Sequence, residues 1–346
     1  MHNRKQKGFS LVELMVALTL GLILLTGVIS IFLSSKVTYL SNEKVARLQE
    51  SGRVALDLIT HDLRSAGYLG CAKIPRWFQS TLNSPSTTLW NYFRPMTGYE
   101  ADGSGSWAPA LDVPLNPAPI PDSDVVVTRG LMRDGRALTI QADMASASAD
   151  PAVVDATTPP VAAGQIYVLT DCESTTVFQA TGYTPGTPDG TVAHATGGSS
   201  PGNATSDLGY QYRRLARLIP LQTYTYYVGL DPVTNEPGLY RKTGDVADSE
   251  LLVEGIQALQ IGYAIDNTND RIADAYVAAN NVTDWNDVIS VTLALLVRSE
   301  DSGSDRDVQS FQLLPAAIGG KQISPVDDGR QRMIFTTTIA VRNRAR

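Results

Sequence analysis

The sequence predicts an α+β protein in which one long N-terminal α-helix packs on a largely antiparallel β-sheet domain. The helix is indicated by the lack of proline from Gly8 to Ile74 and by apolar residues that recur every three or four positions. The sheet is indicated by alternating apolar and polar residues in the last third, with Ile289–Arg298 as a clear half-buried strand. Such a sheet must cover its apolar face, and the amphipathic half of the helix can do so.

The membrane half of this helix is predicted from Phe9 to Leu33, where Glu13 is the only ionisable side chain. At about 1.5 Å per residue this segment crosses a hydrocarbon layer of about 30 Å. Three basic residues precede it, so the positive-inside rule places the N-terminus in the cytoplasm and the rest of the chain outside. A secretory signal would have a shorter apolar run and a small-residue cleavage site after it. A plain anchor does not explain Glu13, because a carboxylate deep in a bilayer costs roughly 3 kcal/mol.

The stretch Lys7-Gly8-Phe9-Ser10-Leu11-Val12-Glu13 resembles the class III signal of type IV pilins and type II secretion pseudopilins. The resemblance implies that a prepilin peptidase cuts after Gly8, releasing residues 1–8, and methylates Phe9. We expect Glu13 to pair with the new amino group of Phe9 in a neighbouring subunit, because either charge alone is costly in a low-dielectric setting. Tip-most subunits of such families often lack this glutamate, which implies a position beneath another subunit.

Residues 34–70 continue the helix outside the membrane, because the apolar spacing persists while the polarity rises. We expect one helix from about Ser10 to Ala66, with a weak spot at Ser51-Gly52 and a stop at Gly67 and Gly70. A coiled-coil stalk is the alternative to packing on a sheet.

Residues 62–71 (DLRSAGYLGC) resemble the end of the long helix in PilW-type minor pilins, which makes Asp62 and Arg64 structural candidates at a helix end. Cys71 and Cys172 lie on the non-cytoplasmic side by the topology argument, where oxidising conditions favour a disulfide. Two unpaired, buried thiols are the alternative. Two cysteines without a nearby histidine do not indicate a metal site.

Residues 71–346 are predicted to form a periplasmic or extracellular β-rich domain with long loops at 72–123, 144–163 and 181–207, where small and polar residues concentrate. Strands are predicted between and after these loops at 124–129, 165–170, 175–180, 223–228, 238–242, 256–265, 289–297 and 333–343. The Y-Y-V…G-L-Y-R hairpin, the L-L-V-R-S strand and the closing F-T-T-T-I-A-V-R-N also resemble the PilW family. The resemblance is weak from 72 to 207.

One loop spaces oxygen ligands at alternate positions, as calcium loops do, through Asp266, Thr268, Asp270 and Asp274. It departs from the calcium pattern because Arg271 stands where a glycine makes the turn, and no bidentate glutamate follows. An ordinary acidic turn is therefore the preferred interpretation, and no cofactor is expected unless calcium binds here.

The composition argues against an enzyme and against a nucleic-acid partner. The net charge is −7, and no block of Lys and Arg follows the N-terminal leader. The chain has three histidines, and neither His61 nor His194 belongs to a recognised catalytic motif. A phosphate-binding loop of the assembly ATPases is also missing from the sequence.

These resemblances imply a minor pilin of a type IV pilus, in a tip or priming complex that initiates assembly. The expected partners are other minor pilins, the major pilin, the prepilin peptidase, the inner-membrane assembly platform and, before assembly, membrane lipid. The expected location is the inner membrane, as a single-pass protein, and then the filament. A type II secretion pseudopilin and a tip adhesin that binds a surface ligand through the loops are the alternatives.

Overall fold

The computed structural model describes residues 8, 10–71, 76–154, 161–300, 310–325 and 328–341. A single long helix, α1 (Leu11–Ser65), precedes a β-rich domain within these ranges, and the predicted α+β class is confirmed. The helix ends lie within one residue of the predicted bounds, and Ser51-Gly52 does not interrupt it. Gly67 and Gly70 follow at φ values of 70° and 92°, which only glycine adopts readily, so the chain turns there.

The described residues form short and long strands, which in chain order are β1 (Trp77–Ser80), β2 (Met96–Ala101), β3 (Trp107–Ala108), β4 (Val125–Leu131), β5 (Leu138–Thr139), β6 (Ala152–Val154), β7 (Ile166–Thr170), β8 (Ser174–Gln179), β9 (Gly182–Thr184), β10 (Asp189–Ala193), β11 (Arg217–Leu230), β12 (Pro237–Thr243), β13 (Glu250–Glu254), β14 (Ile256–Ile265), β15 (Ala275–Val277), β16 (Val288–Arg298), β17 (Phe311–Gln312), β18 (Gln322–Ile323) and β19 (Arg332–Ala340). Two 3-10 helices are interspersed at Ala279–Asn281 and Ala316–Ile318.

The larger sheet follows the order β1-β8-β7-β11-β4-β2-β3, with β5 and β12 also paired to β11 and β13 to β12. Its pairs are antiparallel apart from β1 with β8, as the sequence predicts for most of the sheet. The predicted hairpin is present, since β11 pairs with β12 in a register that places Tyr227 opposite Tyr240. Strand β11 is the longest and holds this sheet together.

The second sheet has the order β15-β14-β16-β19 and is antiparallel throughout. Strand β16 was expected to be half-buried, yet both of its faces are covered along its C-terminal half. One face packs into the main core, whereas Ala294 and Leu296 on the other face lie under Leu313 and Leu314. The segment that carries β17 and β18 therefore acts as a lid over this face, which strand periodicity alone does not predict.

The three predicted loops are more regular than expected. Strands β1, β2 and β3 lie within 72–123, β6 within 144–163, and β9 and β10 within 181–207. These strands are two to six residues long, which is too short to show the apolar alternation that identifies a strand in sequence. Strand β1 pairs with the distant β8, whereas β2 with β3 and β9 with β10 form local hairpins that are too short to show a strand pattern in sequence.

The main core lies between α1 and the second sheet and extends to the larger sheet. Helix residues Leu48, Ala55, Ile59 and Leu63 are buried there among the apolar side chains of β14, β16 and β19. The second half of α1 therefore packs on sheets, as predicted, and no coiled-coil partner is needed to cover its apolar stripe.

Candidate assembly site

The first half of α1 projects from the domain with its side chains uncovered. Every described residue from Ser10 to Leu40 is exposed, although most of them are apolar. Among the described residues α1 is the one helix that is long and apolar enough to cross a membrane, judged by length and composition. An apolar surface of this extent requires a bilayer or other apolar helices around it.

Three hydroxyl side chains of this half are satisfied within the helix itself. The hydroxyl of Thr19 donates to the carbonyl oxygen of Val16 at 3.0 Å, and that of Thr26 to Leu22 at 2.7 Å. Ser30 donates to the carbonyl of Thr26 at 2.9 Å. Because these donors need no outside partner, the segment fits a hydrocarbon environment that offers none.

Glu13 lies in the first turn of α1 and is exposed. A carboxylate there is favoured by the positive end of the helix dipole. Gly8, which precedes the predicted cleavage point, is exposed, with no other atom within 4 Å of a Cβ built on it. Phe9, the predicted new terminus, lies outside the described residues, as do leader residues 1–7. The structure thus leaves Gly8 and Glu13 uncovered, whereas the pairing of Glu13 with Phe9 stays a prediction.

The helix α1 approaches the domain closely at Gly52. A Cβ built on this residue would lie 2.4 Å from two ring carbons of Phe335 on β19, so only glycine allows the helix to approach the strand this closely. Nearer the membrane half, Gln331 donates from its Nε2 to the hydroxyl of Ser41 at 3.3 Å. These contacts fix the position of the domain relative to the projecting helix.

Asp62 connects the end of α1 to the larger sheet through hydrogen bonds. Its carboxylate is 2% exposed and accepts hydrogen bonds from the Tyr226 hydroxyl and, at 3.3 Å, from Nη2 of Arg133. His61 Nδ1 also lies 3.0 Å away. Burial and the adjacent Asp62 carboxylate raise the pKa of Tyr226 well above its usual value, so the phenol stays a donor. Arg64, the other structural candidate predicted at this helix end, is exposed in the last turn, where a cation suits the negative end of the helix dipole.

Cys71 and Cys172 form a disulfide, with 5.5 Å between their Cα atoms. Cys71 follows the helix end, and Cys172 lies in the turn between β7 and β8. The backbone of Gly67 donates to the carbonyl oxygen of Arg129 at 2.8 Å, which holds the intervening turn to β4. The covalent bond therefore ties the helix end to the larger sheet, next to the contacts of Asp62.

The predicted calcium residues form a closed turn between β14 and β15, made by Asp266, Thr268, Asp270 and Asp274. Oδ2 of Asp266 accepts the backbone N–H of Arg271 at 2.8 Å, and Oδ2 of Asp274 accepts that of Asn267 at 2.7 Å. Burial acts to raise the pKa of Asp266, but the backbone N–H groups of Arg271, Asn269 and Asp270 lower it below its usual value. The carboxylates thus stabilise the turn by accepting backbone hydrogen bonds. No group of three metal-ligating side chains occurs in the described part of the chain.

A buried polar cluster between the two sheets is not evident in the sequence. Asp124 accepts the backbone N–H of Ala101 at 3.0 Å and that of Ile261 at 2.8 Å, so it bridges the larger sheet and β14. Glu100 lies beside it, and Lys321 of the lid segment donates to the carbonyl of Ala101. Burial raises the pKa of Glu100 to about 7, and burial together with Glu100 raises that of Asp124. In the sequence, the one feature that indicates this cluster is Asp124, an acidic residue directly before the buried strand β4.

Two family models match the chain. The type IV pilus-assembly protein W family matches residues 225–343, and the prokaryotic N-terminal methylation motif matches residues 3–29. The first match covers β12 to β19 and the last six residues of β11, and the second includes Gly8, Phe9 and Glu13. Both confirm the resemblance predicted from the sequence, to a family of structural rather than enzymatic proteins.

Among solved structures, the chain is similar to the type IV-like pilin TTHA1219 from Thermus thermophilus, with 11% sequence identity and a TM-score of 0.34. That similarity covers 87% of this chain and 98% of the pilin. No curated protein matches the chain.

Proposed function

We propose that this chain, a type IV pilin-like protein with a PilW segment and an N-terminal methylation motif, is a minor pilin in a tip or priming complex that initiates pilus assembly. The observation that carries the proposal is the exposed apolar half of α1, which projects from a domain with its own closed core. This geometry suits a subunit that first resides in a bilayer and then transfers the same surface to neighbouring helices.

The proposed maturation begins in the inner membrane, with the N-terminus in the cytoplasm and one membrane pass. The prepilin peptidase removes residues 1–8 and methylates Phe9, while residues 9–33 span the bilayer and 34–70 link them to the domain. The partners are other minor pilins, the major pilin and the assembly platform. Exposure of Gly8 supports access by the peptidase, since a protease needs an uncovered segment.

Glu13 is proposed to select the assembled register. In the bilayer its carboxylate lies near the end of the apolar helix, where the cost of its charge is reduced. In the filament it pairs with the amino group of Phe9 on a neighbouring subunit, and a shift of one helical turn would separate the two charges by about 5.4 Å. A misplaced subunit would then contain two unpaired charges, which is strongly unfavourable in an apolar core.

The test compares Glu13→Ala with the control Glu50→Ala, which removes an exposed carboxylate from the part of α1 outside the membrane half. We expect both variants to insert and to be cleaved, but only Glu13→Ala to be absent from sheared filaments. Normal incorporation of Glu13→Ala would contradict the pairing. Mass spectrometry of the mature wild-type protein should show a methylated Phe9 at the N-terminus, and retention of residues 1–8 would contradict the maturation.

Deletion of the gene separates the proposed function from its alternatives. Loss of surface filaments and of twitching motility is the expected result. Loss of secreted enzymes with normal filaments would instead indicate a type II secretion pseudopilin, and normal filaments with poor attachment would indicate an adhesin.

A further inference from the structure

A cleft of about 650 Å³ lies beside the C-terminal end of α1, on the side of the helix that the sheets leave uncovered. The last turns of the helix form one wall, and the segment after β4 with the start of β11 forms the other. Its ionisable lining residues are Asp57, His61, Arg64, Arg133 and Arg217. Its apolar lining includes Leu131, Met132 and Ile219. The volume falls within the range of about 300–1,000 Å³ that is usual for ligand sites.

The cleft has an excess of positive charge on an acidic protein. Three arginines face one lining carboxylate, Asp57, while the whole chain has a net charge of −7. Arg64 and Arg217 are exposed, and no side-chain hydrogen bond or ion pair is found for either among the residues that the structure describes. Arg133 is held by Asp62, yet its buried Nε has no partner in the described structure. The cleft therefore presents unused guanidinium donors.

Guanidinium groups arranged around a cleft are suited to carboxylates or phosphates, which they bind through paired hydrogen bonds. Lipid phosphates are out of reach, because Asp57 lies 24 residues beyond Leu33 and hence about 36 Å along the helix from the apolar end. Nucleic acid is disfavoured by the net negative charge of the chain. The apolar lining and the open shape are instead suited to a peptide with acidic and small apolar side chains.

We propose that this cleft binds an extended acidic segment of a neighbouring pilin subunit. The inference rests on the proposed function, because the filament supplies the neighbour. The exposed face at Asp57, His61 and Arg64 continues the uncovered side of α1 beyond the bilayer, so a subunit packed along the helix reaches the cleft. The contact would add charge complementarity outside the filament core to the apolar contacts within it.

The first test measures binding to the full-length protein in detergent by fluorescence anisotropy, with a labelled (Glu-Ala)5 peptide and its (Gln-Ala)5 control. We expect the acidic peptide to bind at least about tenfold more tightly, and Arg64→Glu/Arg217→Glu to lose at least about tenfold in affinity. The matched control is Arg76→Glu/Arg94→Glu, the same charge change at two exposed arginines outside the cleft, which should bind as the wild type does.

Equal binding of both peptides, or an equal loss in the control variant, would overturn the proposal. Displacement of the peptide by inorganic phosphate at the same concentration would also overturn it, because the cleft would then be a simple anion site. A preserved melting temperature of the double variant ensures that a loss of binding reflects the cleft rather than the fold.

The second test places a photo-crosslinking residue at Met132 in cells. We expect a crosslink to an Asp- or Glu-containing segment of another pilin in sheared filaments, identified by mass spectrometry. Incorporation of the protein into filaments without such a crosslink would overturn the cleft assignment alone. Absence of the wild-type protein from filaments would overturn the proposed function, whereas the peptide measurement would still decide whether the cleft binds acidic segments.

Discussion

Replacement of Gly52 by valine tests how the projecting helix is fixed to the domain. A Cβ at this position would lie 2.4 Å from Phe335 ring carbons, whereas ordinary van der Waals contact begins at 3.4 Å, so the overlap is 1.0 Å. Overpacking of this kind costs about 1–3 kcal/mol. Valine regains less than about 0.5 kcal/mol over glycine through helix propensity. We therefore expect Gly52→Val to lower the free energy of unfolding by about 2 kcal/mol.

The assay is thermal unfolding of the full-length protein in detergent, followed by near-ultraviolet circular dichroism. A loss of 2 kcal/mol corresponds to a melting temperature about 3 °C lower, from the usual scaling of unfolding entropy with the number of residues. Gln49→Val is the matched control, because it introduces the same β-branched side chain at an exposed position of the same helix. Its melting temperature should differ from that of the wild type by about 1 °C at most.

A double-mutant cycle locates the effect at the contact itself. Phe335→Ala removes the ring that valine would overlap, so Gly52→Val should cost far less in that background, with a coupling energy of about 1–2 kcal/mol. Equal losses in both backgrounds would refute the explanation, as would an unchanged melting temperature for Gly52→Val alone.

Three further predictions concern the helix end and the sheet junction. Asp62→Ala should lower the free energy of unfolding in urea by about 3–5 kcal/mol, because it leaves a half-buried guanidinium without its carboxylate. Replacement of Cys71 and Cys172 by serine should lower it by up to about 4.7 kcal/mol, the chain-entropy value for a loop of about 100 residues. Glu100→Gln should stabilise the protein more at pH 8 than at pH 4.5 in thermal unfolding, because the pKa of Glu100 is raised to about 7 in the native state.

The sign of the last prediction follows from proton binding. Between the unfolded pKa near 4.5 and the native value near 7, the native protein holds the proton more firmly than the unfolded chain does, so the contribution of Glu100 to stability falls as the pH rises. A stability difference between the variant and the wild type that is independent of pH would contradict it.

For the disulfide, reductant should destabilise the wild type but not the serine variant. For Asp62, Asp62→Asn should cost less than alanine, because it can still accept the hydrogen bond from Tyr226.

The sequence predicted the elements whose patterns are local. The run from Gly8 to Ile74 contains no proline and defined α1, and strict alternation defined β16 and β19. It did not predict the pairings between positions 72 and 207, because strands such as β1 are short and pair with strands far along the chain, as Trp77 does with Ser174 of β8. Periodicity reports which side of a strand is apolar, but not that a lid segment covers the opposite side.

The candidate sites also differ in whether a local sequence pattern predicts them. Gly8, Phe9 and Glu13 are contiguous in a motif, so their roles could be predicted before any fold was known. The cleft joins side chains from the helix, from the segment after β4 and from β11, more than 150 residues apart at its extremes. Neither Arg64 nor Arg217 belongs to a local pattern that would single it out, and only the packing of α1 on the larger sheet brings them together.

The disulfide between Cys71 and Cys172 provides a direct covalent path for force from the end of α1 to the larger sheet. In the proposed filament, a pull along α1 leaves the helix close to Cys71. It then passes through the covalent link directly to the turn before β8, bypassing residues 72–171. Strands β2, β4 and β7 lie inside this bypassed loop and are spared the tension along the backbone, so the subunit can bear a load without unravelling from its helix.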